Sequence, residues 1–192
     1  MRRRDFLRRT GLMLAAGTSA FLGIGLNNTR AAPNYLRPPG AVSEREFLQK
    51  CIRCFQCGEV CPYYAIVFLG FKAGVAMDTP YIAARQKACR LCMKCGEVCP
   101  TGAIKKIEPE YEAIMQEVKM GTAKIDKNLC YAYNNLVCGF CYYNCPLPDV
   151  AISIEGGTNK PIVHEDKCVG CGLCEWRCVY EPAAIRVIPR GD

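Results

Sequence analysis

The sequence predicts an α+β fold built from four copies of one small unit, in which a strand leads into a cysteine-rich loop, a short helix and a second strand. Three observations predict it. The 192-residue chain carries 16 cysteines in four groups of four, the spacing within the groups repeats, and a short run rich in β-branched residues follows every group. Because two such units complete one module, four units predict two modules.

The cysteine spacing indicates which cofactor the loops bind. Groups one, two and four share the pattern C-x2-C-x2-C-x3-C, and groups one to three end in Cys-Pro. This is the bacterial ferredoxin run for [4Fe–4S] cubes, in which three thiolates hold one cube and the fourth ligates its neighbour. The sixteen predicted ligands are Cys51, Cys54, Cys57 and Cys61; Cys89, Cys92, Cys95 and Cys99; Cys130, Cys138, Cys141 and Cys145; and Cys168, Cys171, Cys174 and Cys178.

Other readings of the cysteines fit less well. A zinc site uses two C-x2-C pairs separated by a longer gap, whereas three thiols crowd each loop here. A disulfide scaffold is favoured by an even cysteine count in an exported protein, but it does not explain four groups of similar spacing. A [3Fe–4S] centre usually follows the loss of a ligand, and no group lacks one.

Two groups depart from the common pattern. In group three, seven residues separate Cys130 from Cys138, so either its loop is stretched or Cys130 ligates from farther away. In group four, Val179 follows Cys178, and proline is delayed to Pro182. Either departure predicts a cube that is more labile or shifted in potential.

The segments between the groups predict the remaining elements. β-Branched runs begin at Ala65, Ala103, Ala151 and Ala184, and the last two alternate as half-buried strands do. Residues 124–126 and 162–164 predict strands entering groups three and four, with a turn over 156–159. Apolar residues at helical spacing predict a helix over 110–120, between groups two and three.

The N-terminus reads as an export signal. Residues 1–9 contain five arginines, and a 16-residue apolar stretch over 11–26 follows, too short for a typical membrane span. Arg3-Arg4-Asp5-Phe6-Leu7 is similar to the twin-arginine consensus. We therefore predict a twin-arginine signal over 1–31, cleaved after Ala31 or retained as an anchor. A linker over 32–46 and a four-cluster region over 47–192 would follow.

The charge excludes one class of function. The formal net charge is +7, but residues 1–31 contribute +5 of it, which leaves about +2 for the rest of the chain. A nucleic-acid interface would therefore rest mostly on the signal, and none is expected. Four cubes at about −2 each would bring the mature protein to about −6, which favours a redox partner with a basic docking patch.

The sequence shows no machinery for binding or transforming a substrate. It contains no dinucleotide or nucleotide loop and no set of nucleophile and base, so a relay of electrons is favoured over catalysis. The single His164 is expected to be a strand residue, and Trp176 to shield the cube of group four. Tyrosines beside the loops are expected to exclude water, namely Tyr63, Tyr64, Tyr131, Tyr133, Tyr142 and Tyr143.

From end to end the chain resembles the NapG/MauM family of exported ferredoxin-type proteins. The resemblance includes the twin-arginine start, Leu36-Arg37-Pro38-Pro39-Gly40-Ala41 before group one, Thr79-Pro80-Tyr81 and Ala84-Arg85 near group two, the stretched group three, and the segment from Val163 to Ile185. It implies four [4Fe–4S] clusters in tandem or nested ferredoxin-like domains, two modules of 2×[4Fe–4S] each. Group two, with its short gap between the second and third cysteines, and the short C-terminus depart from some members.

The resemblance also implies a function. A NapG-like protein would carry electrons in the periplasm, at the outer face of the inner membrane, from a membrane iron–sulfur protein that oxidises quinol (NapH-like) to a periplasmic reductase or cytochrome of nitrate respiration. Membrane contact would come through that partner or an uncleaved signal. The alternatives are a MauM-like carrier of methylamine utilisation and the electron-transfer subunit of a molybdenum oxidoreductase.

Which groups share a cube has two answers. Resemblance to the four-cluster subunits of molybdenum oxidoreductases implies nesting, in which group one pairs with group four and group two with group three. The nested cubes would be Cys51, Cys54, Cys57, Cys178; Cys61, Cys168, Cys171, Cys174; Cys89, Cys92, Cys95, Cys145; and Cys99, Cys130, Cys138, Cys141. The predicted hairpin between groups three and four instead favours sequential pairing.

Overall fold

The computed structural model describes residues 34–191, so the predicted signal over 1–31 lies outside the described residues. The helices are α1 (Glu44–Lys50), α2 (Gln56–Glu59), α3 (Lys94–Glu97), α4 (Tyr111–Glu117), α5 (Phe140–Tyr143) and α6 (Leu173–Trp176). The strands are β1 (Ile66–Phe68), β2 (Pro80–Ile82), β3 (Gly121–Ile125), β4 (Ile152–Ile154), β5 (Pro161–Val163) and β6 (Ile185–Pro189). In the same part of the chain, 3-10 helices span Phe71–Ala76 and Tyr131–Asn134. The fold is thus small and mixed, with helices and strands, as expected.

Between residues 34 and 191, six strands pair into three antiparallel ribbons. β1 pairs with β2, β4 with β5, and β3 with β6. In the longest ribbon Ala123 lies opposite Val187 and Ile125 opposite Ile185, and all but Ile125 of these are buried. Each ribbon therefore turns one apolar face toward the core, which runs through most of the described chain.

The pairing divides the described chain into a first half, residues 34–107, and a second half, residues 121–189. In the second half β3 and β6 join its start to its end, and the β4–β5 hairpin lies between them in sequence. The first half repeats this arrangement with less regularity, because a single bridge joins Ala41 to Ile104 around the β1–β2 hairpin. The helix α4 lies between the halves in sequence.

The loops that carry the cysteines have a repeated backbone conformation. In groups one, two and four the residues on both sides of the second cysteine have positive φ, and the third cysteine lies in a one-turn helix. The residues with positive φ are Arg53 and Phe55, Leu91 and Met93, and Gly170 and Gly172. Four of the six are not glycine, and non-glycine residues in this conformation concentrate at functional sites, where the surrounding structure offsets their strain.

The predicted linker over 32–46 is not a linker where the structure describes it. Leu36 and Arg37 are each 6% exposed, and the backbone N–H of Ile82 donates to the carbonyl of Leu36. The Arg37 guanidinium donates to both carboxylate oxygens of Glu44 and to the hydroxyl of Thr79. This paired, buried arginine fixes the segment to the β1–β2 ribbon, which the prediction of a linker does not anticipate.

The other predicted elements are found with small differences. The strands predicted near 66, 125, 152, 162 and 185 are present, and the predicted helix 110–120 is shortened to α4 because the chain enters β3 at Gly121. The run from Ala103 forms only the bridge at Ile104. The strand β2 was not predicted, since Pro80 opens it and it is three residues long. Within residues 34–191, none of the helices has the length and apolar character needed to cross a bilayer.

Candidate metal-cluster sites

The sixteen cysteines line four separate cavities, and each cavity has four of them. Cavity A is lined by Cys51, Cys54, Cys57 and Cys99, and cavity B by Cys61, Cys89, Cys92 and Cys95. Cavity C is lined by Cys145, Cys168, Cys171 and Cys174, and cavity D by Cys130, Cys138, Cys141 and Cys178. In every cavity, therefore, three cysteines of one group meet the fourth cysteine of another.

This arrangement corrects the nested grouping. Groups one and two line cavities A and B, and groups three and four line cavities C and D. Nesting placed Cys178 with group one and Cys61 with group four, whereas these side chains line cavities D and B. The reason is topological: α2 packs on α3 and α5 on α6, so each fourth cysteine reaches the partner loop in its own half.

The hydrogen bonds of cavity A prepare Cys99 for a negative charge. The N–H of Ile104 lies 3.4 Å from Cys99 Sγ, and the Thr101 hydroxyl lies 3.8 Å from it. Burial alone would raise the pKa of Cys99, but hydrogen bonds from Ile104, Thr101 and Ala103 lower the pKa below its usual value. Donors aimed at a ligating sulfur stabilise the thiolate and tune the potential of a bound cluster.

The more buried thiols show the opposite effect. Burial, with repulsion from Cys51, raises the pKa of Cys57 to about 12. Burial, with repulsion from Cys130, likewise raises the pKa of Cys141 to about 12. Four thiolates cannot therefore share such a cavity without a compensating positive charge, which iron ions bound to the sulfurs would supply.

Backbone donors also reach the sulfurs of the second half. The N–H of Leu147 donates to Cys145 Sγ at 3.4 Å, and that of Ala184 donates to Cys178 Sγ at 3.3 Å. The N–H of Ala123 in β3 lies 3.5 Å from Cys168 Sγ, so the β3–β6 ribbon contributes directly to cavity C. Sulfurs that ligate an iron–sulfur cluster accept hydrogen bonds of this kind.

The irregular groups three and four share cavity D. The long stretch between Cys130 and Cys138 folds into the 3-10 helix Tyr131–Asn134, so Cys130 still lines the same cavity as its neighbours. Asn134 holds this turn by donating to the carbonyls of Lys127, Asn128 and Cys130. Val179, in the place of a proline, lines the cavity too.

The four cavities follow one another in the order A, B, C, D. Burial, and then repulsion from Cys92 and Cys57, raises the pKa of Cys95 to about 12, which places cavity A beside cavity B. Cys141 of cavity D acts in the same way on the pKa of Cys174 of cavity C, after burial and repulsion within its own loop. Between the halves, the Cys89 N–H donates to the Cys171 carbonyl at 2.9 Å, which joins cavity B to cavity C.

The sulfurs of the described residues are neither cross-linked nor arranged closely enough for a single metal ion. All sixteen cysteines are free thiols. Within residues 34–191, no three cysteine, histidine, aspartate or glutamate side chains gather closely enough to hold one metal ion. A cubane cluster carries its thiolates on four different irons, so its ligands surround a larger volume than the ligands of one zinc ion. The cysteine sets suit such a polyatomic group.

The aromatic residues and His164 have different positions. Tyr63 lines cavity B and Tyr131 lines cavity D. The other tyrosines expected to exclude water, Tyr64, Tyr133, Tyr142 and Tyr143, line none of the four cavities. Trp176 packs against the guanidinium groups of Arg90 and Arg177 instead of lining cavity C. His164 follows β5, and its Nε2 lies 2.9 Å from the Ser153 hydroxyl of β4.

Arg85 contributes to the site, although in the sequence it stands out only as part of the family resemblance. Its guanidinium donates to the carbonyls of Glu175 and Cys178 at 2.9 Å each and to that of Tyr180 at 3.3 Å, and it pairs with the Glu181 carboxylate. A residue of the first half thus caps the chain that follows α6 and presents Cys178 to cavity D. No local pattern in the sequence reveals a contact across more than 90 residues.

Comparison with known proteins agrees with the chemistry of these sites. The family model of the 4Fe–4S dicluster domain matches residues 50–103, which contain the groups that line cavities A and B. The ferredoxin-type protein NapG of Escherichia coli (strain K12) is 38% identical over 97% of this chain and 83% of its own length. The methylamine utilization ferredoxin-type protein MauM of Methylorubrum extorquens is 37% identical over 98% of this chain and 89% of its own length. The ferredoxin-type protein NapF of Haemophilus influenzae is 28% identical over 92% of this chain and 88% of its own length.

Proposed function

This chain belongs to the NapG/MauM family of ferredoxin-type proteins, and on that premise we propose that it relays electrons through four [4Fe–4S] clusters, one in each of cavities A to D. The observation that carries the proposal is the lining of four cavities by four cysteines each. The two halves would then be two successive ferredoxin-like modules, and the protein would be a carrier without a catalytic site of its own.

The donor chemistry of the cavities fits the proposed cofactor. Each cavity offers four thiols and walls that are largely apolar. In all four cavities a backbone N–H group lies within hydrogen-bond distance of a cysteine sulfur, for example at Cys89 and Cys178. When bound, a cube supplies one-electron redox chemistry. The chain holds the cubes at fixed positions, hydrogen-bonds their ligands and excludes water, and these are the means by which a protein sets their potentials.

The order of the cavities defines the proposed route. An electron entering at cavity D would pass through C and B to A, or travel in the reverse direction. Within each half, neighbouring cubes would be connected by the helix pairs α2–α3 and α5–α6. The Cys89–Cys171 backbone hydrogen bond would provide the connection between the halves.

The physiological setting is a further part of the proposal. The arginine-rich N-terminus supports export by the twin-arginine route to the periplasm, at the outer face of the inner membrane. A membrane iron–sulfur protein that oxidises quinol would be the donor, and a periplasmic reductase of nitrate respiration would be the acceptor. The near-equal identity to MauM supports a second candidate, a carrier in methylamine utilisation.

Metal analysis and spectroscopy of anaerobically purified protein test the proposal. We expect about 16 iron and about 16 sulfide per chain, from four cubes of four irons each, and EPR signals that appear on one-electron reduction. Zinc in place of iron, or disulfide-linked cysteines in protein never exposed to air, would contradict it. Cubes that resist reduction over the whole range of about −700 to +450 mV would favour a structural role instead.

A further inference from the structure

The surface around cavity D is unusually apolar. Val137 is 89% exposed, Tyr143 81%, Leu136 55% and Phe140 50%. Phe140 also lines the cavity, so the exposed patch is continuous with the wall of the site. We call these four residues the cavity D face. Exposed apolar side chains clustered in this way mark a surface that is covered by something else.

The cavity D face lies in a segment without charge. Residues 128–148 contain no aspartate, glutamate, lysine, arginine or histidine, although 22% of the chain is charged and four or five charges would be expected in such a length. The segment includes the stretched loop of group three, which adds five residues to the usual spacing. The departure from the common pattern thus adds Leu136 and Val137 to the apolar surface.

The loop is held in this exposed position. The Asn134 amide donates to three carbonyls at 2.9–3.1 Å, Asn135 has a left-handed backbone with φ of 62°, and the Leu136 N–H donates to the Tyr131 carbonyl at 3.0 Å. Because the turn is fixed at its base, Leu136 and Val137 cannot fold back into the core without breaking these hydrogen bonds. The conformation of the cavity D face is therefore fixed before binding.

A second apolar surface, beside cavity A, provides a contrast. Phe71 is 88% exposed and Val75 75%, close to the exposed thiol of Cys54. There the charges of Arg53 and Lys72 are interspersed with the apolar residues, and the Arg53 guanidinium donates to the Val75 carbonyl at 2.9 Å. Mixed apolar and charged surfaces suit contact with a protein, whereas hydrocarbon disfavours charged groups strongly.

We propose that the cavity D face inserts into the interfacial region of a lipid bilayer. The inserting groups are aliphatic and aromatic and carry no charge, which is what the boundary between headgroups and acyl chains accepts. The charges that border the face are Lys127 and Lys160, which lie against Tyr133; Asp126 and Glu155 in the same region; and Asp149, which accepts from the Tyr142 hydroxyl; and a cube in cavity D would add about −2. Because the inserting side chains carry no charge and their surroundings are negative on balance, binding should depend on apolar burial and should not be strengthened by anionic lipid.

The remainder of the chain supports this occupant over a protein partner. The sequence outside the described residues contains the 16-residue apolar stretch over 11–26 next to five arginines, which suits a membrane surface. Stable attachment to a bilayer usually needs two weak signals acting together, and the cavity D face would be the second. The inference rests on the proposed relay in one respect: insertion would place its D end at the membrane, where a membrane-bound donor is expected.

Hydrogen–deuterium exchange of the anaerobic, full-length holoprotein tests the inference. We expect vesicles of phosphatidylcholine to slow exchange in peptides covering 131–143 and to leave peptides covering 71–77 unchanged. The measurement is local, so attachment by residues 1–33 alone cannot produce this result. Two results would overturn the inference and favour a protein partner for this face. One is unchanged exchange over 131–143 in protein that is bound to vesicles, and the other is a holoprotein that does not bind vesicles at all.

Matched variants provide the second measurement. In a flotation assay, Leu136→Ser/Val137→Ser should lower the ratio of vesicle-bound to free protein at least about tenfold, since each buried aliphatic side chain contributes roughly that factor. The control Phe71→Ser/Val75→Ser should bind vesicles as the unchanged protein does. Flotation should persist at high salt. Equal losses in both variants, or binding only to anionic vesicles at low salt, would contradict insertion. Iron content, measured for every variant, separates a failure of this inference from a failure of the four-cluster relay.

Discussion

At the scale of single residues, burial of thiols connects the cysteine pattern to the cofactor. Burial, with repulsion from Cys145 and Cys168, raises the pKa of Cys171 to about 12, and burial also raises the pKa of Cys89, to which Cys171 contributes. The backbone N–H groups of Leu91 and Leu173, which donate to the sulfurs of Cys89 and Cys171, reduce this rise in pKa without cancelling it. The most buried thiols of the sites are thus unfavourable as free thiolates, and binding to iron would remove that penalty.

Paired substitutions determine which cysteines share a cube. We expect Cys61→Ser/Cys92→Ser to lose one cube, leaving about 12 iron per chain, because both residues line cavity B. The matched variant Cys61→Ser/Cys171→Ser should lose two cubes and leave about 8 iron, since its residues line cavities B and C. Iron analysis and EPR quantitation of the two proteins make the comparison. Nesting predicts the reverse pattern, which would refute the sequential grouping.

Arg85 offers a separate prediction about how the halves are fixed. Arg85→Gln removes a guanidinium that donates to three carbonyls near Cys178. The free energy of unfolding should therefore fall by about 1–3 kcal/mol. Loss of the positive charge should also shift the potential of the cube in cavity D to more negative values.

The control for Arg85 is Arg85→Lys, which keeps the charge but cannot reach all three carbonyls at once. It should restore most of the potential and little of the stability, as measured by EPR redox titration and urea unfolding. Identical effects of the two substitutions on both quantities would show that the charge of Arg85 has no influence on the cube.

At the scale of elements, the loops depend on close contact between the halves. A Cβ on Gly172 would lie 2.7 Å from the Cβ of Ala84, and Gly172 has φ of 84°. Glycine at this position satisfies both the left-handed backbone and the contact with the first half. Within the second half, a Cβ on Gly170, with φ of 77°, would meet the backbone of Gly121 at 2.3 Å.

Gly172→Ala should therefore destabilise the holoprotein by about 1–3 kcal/mol, from backbone strain and crowding. Gly156→Ala is the matched control, because no heavy atom lies within 4 Å of the added Cβ and its φ lies outside the left-handed region. We expect the control to change stability by less than about 0.5 kcal/mol. Urea unfolding followed at the visible cluster absorbance measures both, and equal midpoints for the two variants would be inconsistent with the close contact.

Element prediction succeeded where pattern and partner agreed. The alternation near 152 and 185 belongs to strands whose apolar faces are buried, so the local pattern and the tertiary contact coincide. It failed at β2 and over 34–46, where short proline-containing segments are held by Arg37, a buried residue whose partners are distant in sequence. The positive φ of Arg53 and Leu91 has no signature in their side chains.

At the scale of the whole molecule, the apolar core of the described chain is interleaved with its cysteines. The main buried cluster combines aliphatic side chains, methionines and Phe47 with six of the cysteines, and the strands are three to five residues long. A domain of this kind usually depends on a bound metal for its stability, because binding free energy is folding free energy when the site does not form in the unfolded chain.

Removal of iron should therefore unfold the protein. We expect treatment with acid or a strong chelator under anaerobic conditions to abolish the cooperative thermal transition seen by circular dichroism. Reconstitution with iron and sulfide under reducing conditions should restore it, which serves as the control for irreversible damage. A native-like melt of iron-free protein would show that the cubes are not required for the fold.

The sequence by itself determined the sixteen candidate ligands, the cofactor class, the α+β character and the family, because ligand spacing and strand alternation are local properties of the chain. The tertiary structure decided which cysteines share a cavity, where Arg85 reaches and how the cavity D face is exposed. These depend on contacts between residues far apart in sequence. The spacing of the four loops is compatible with nested or successive pairing, and the pairing of β3 with β6, which joins the start of the second half to its end, selects successive pairing.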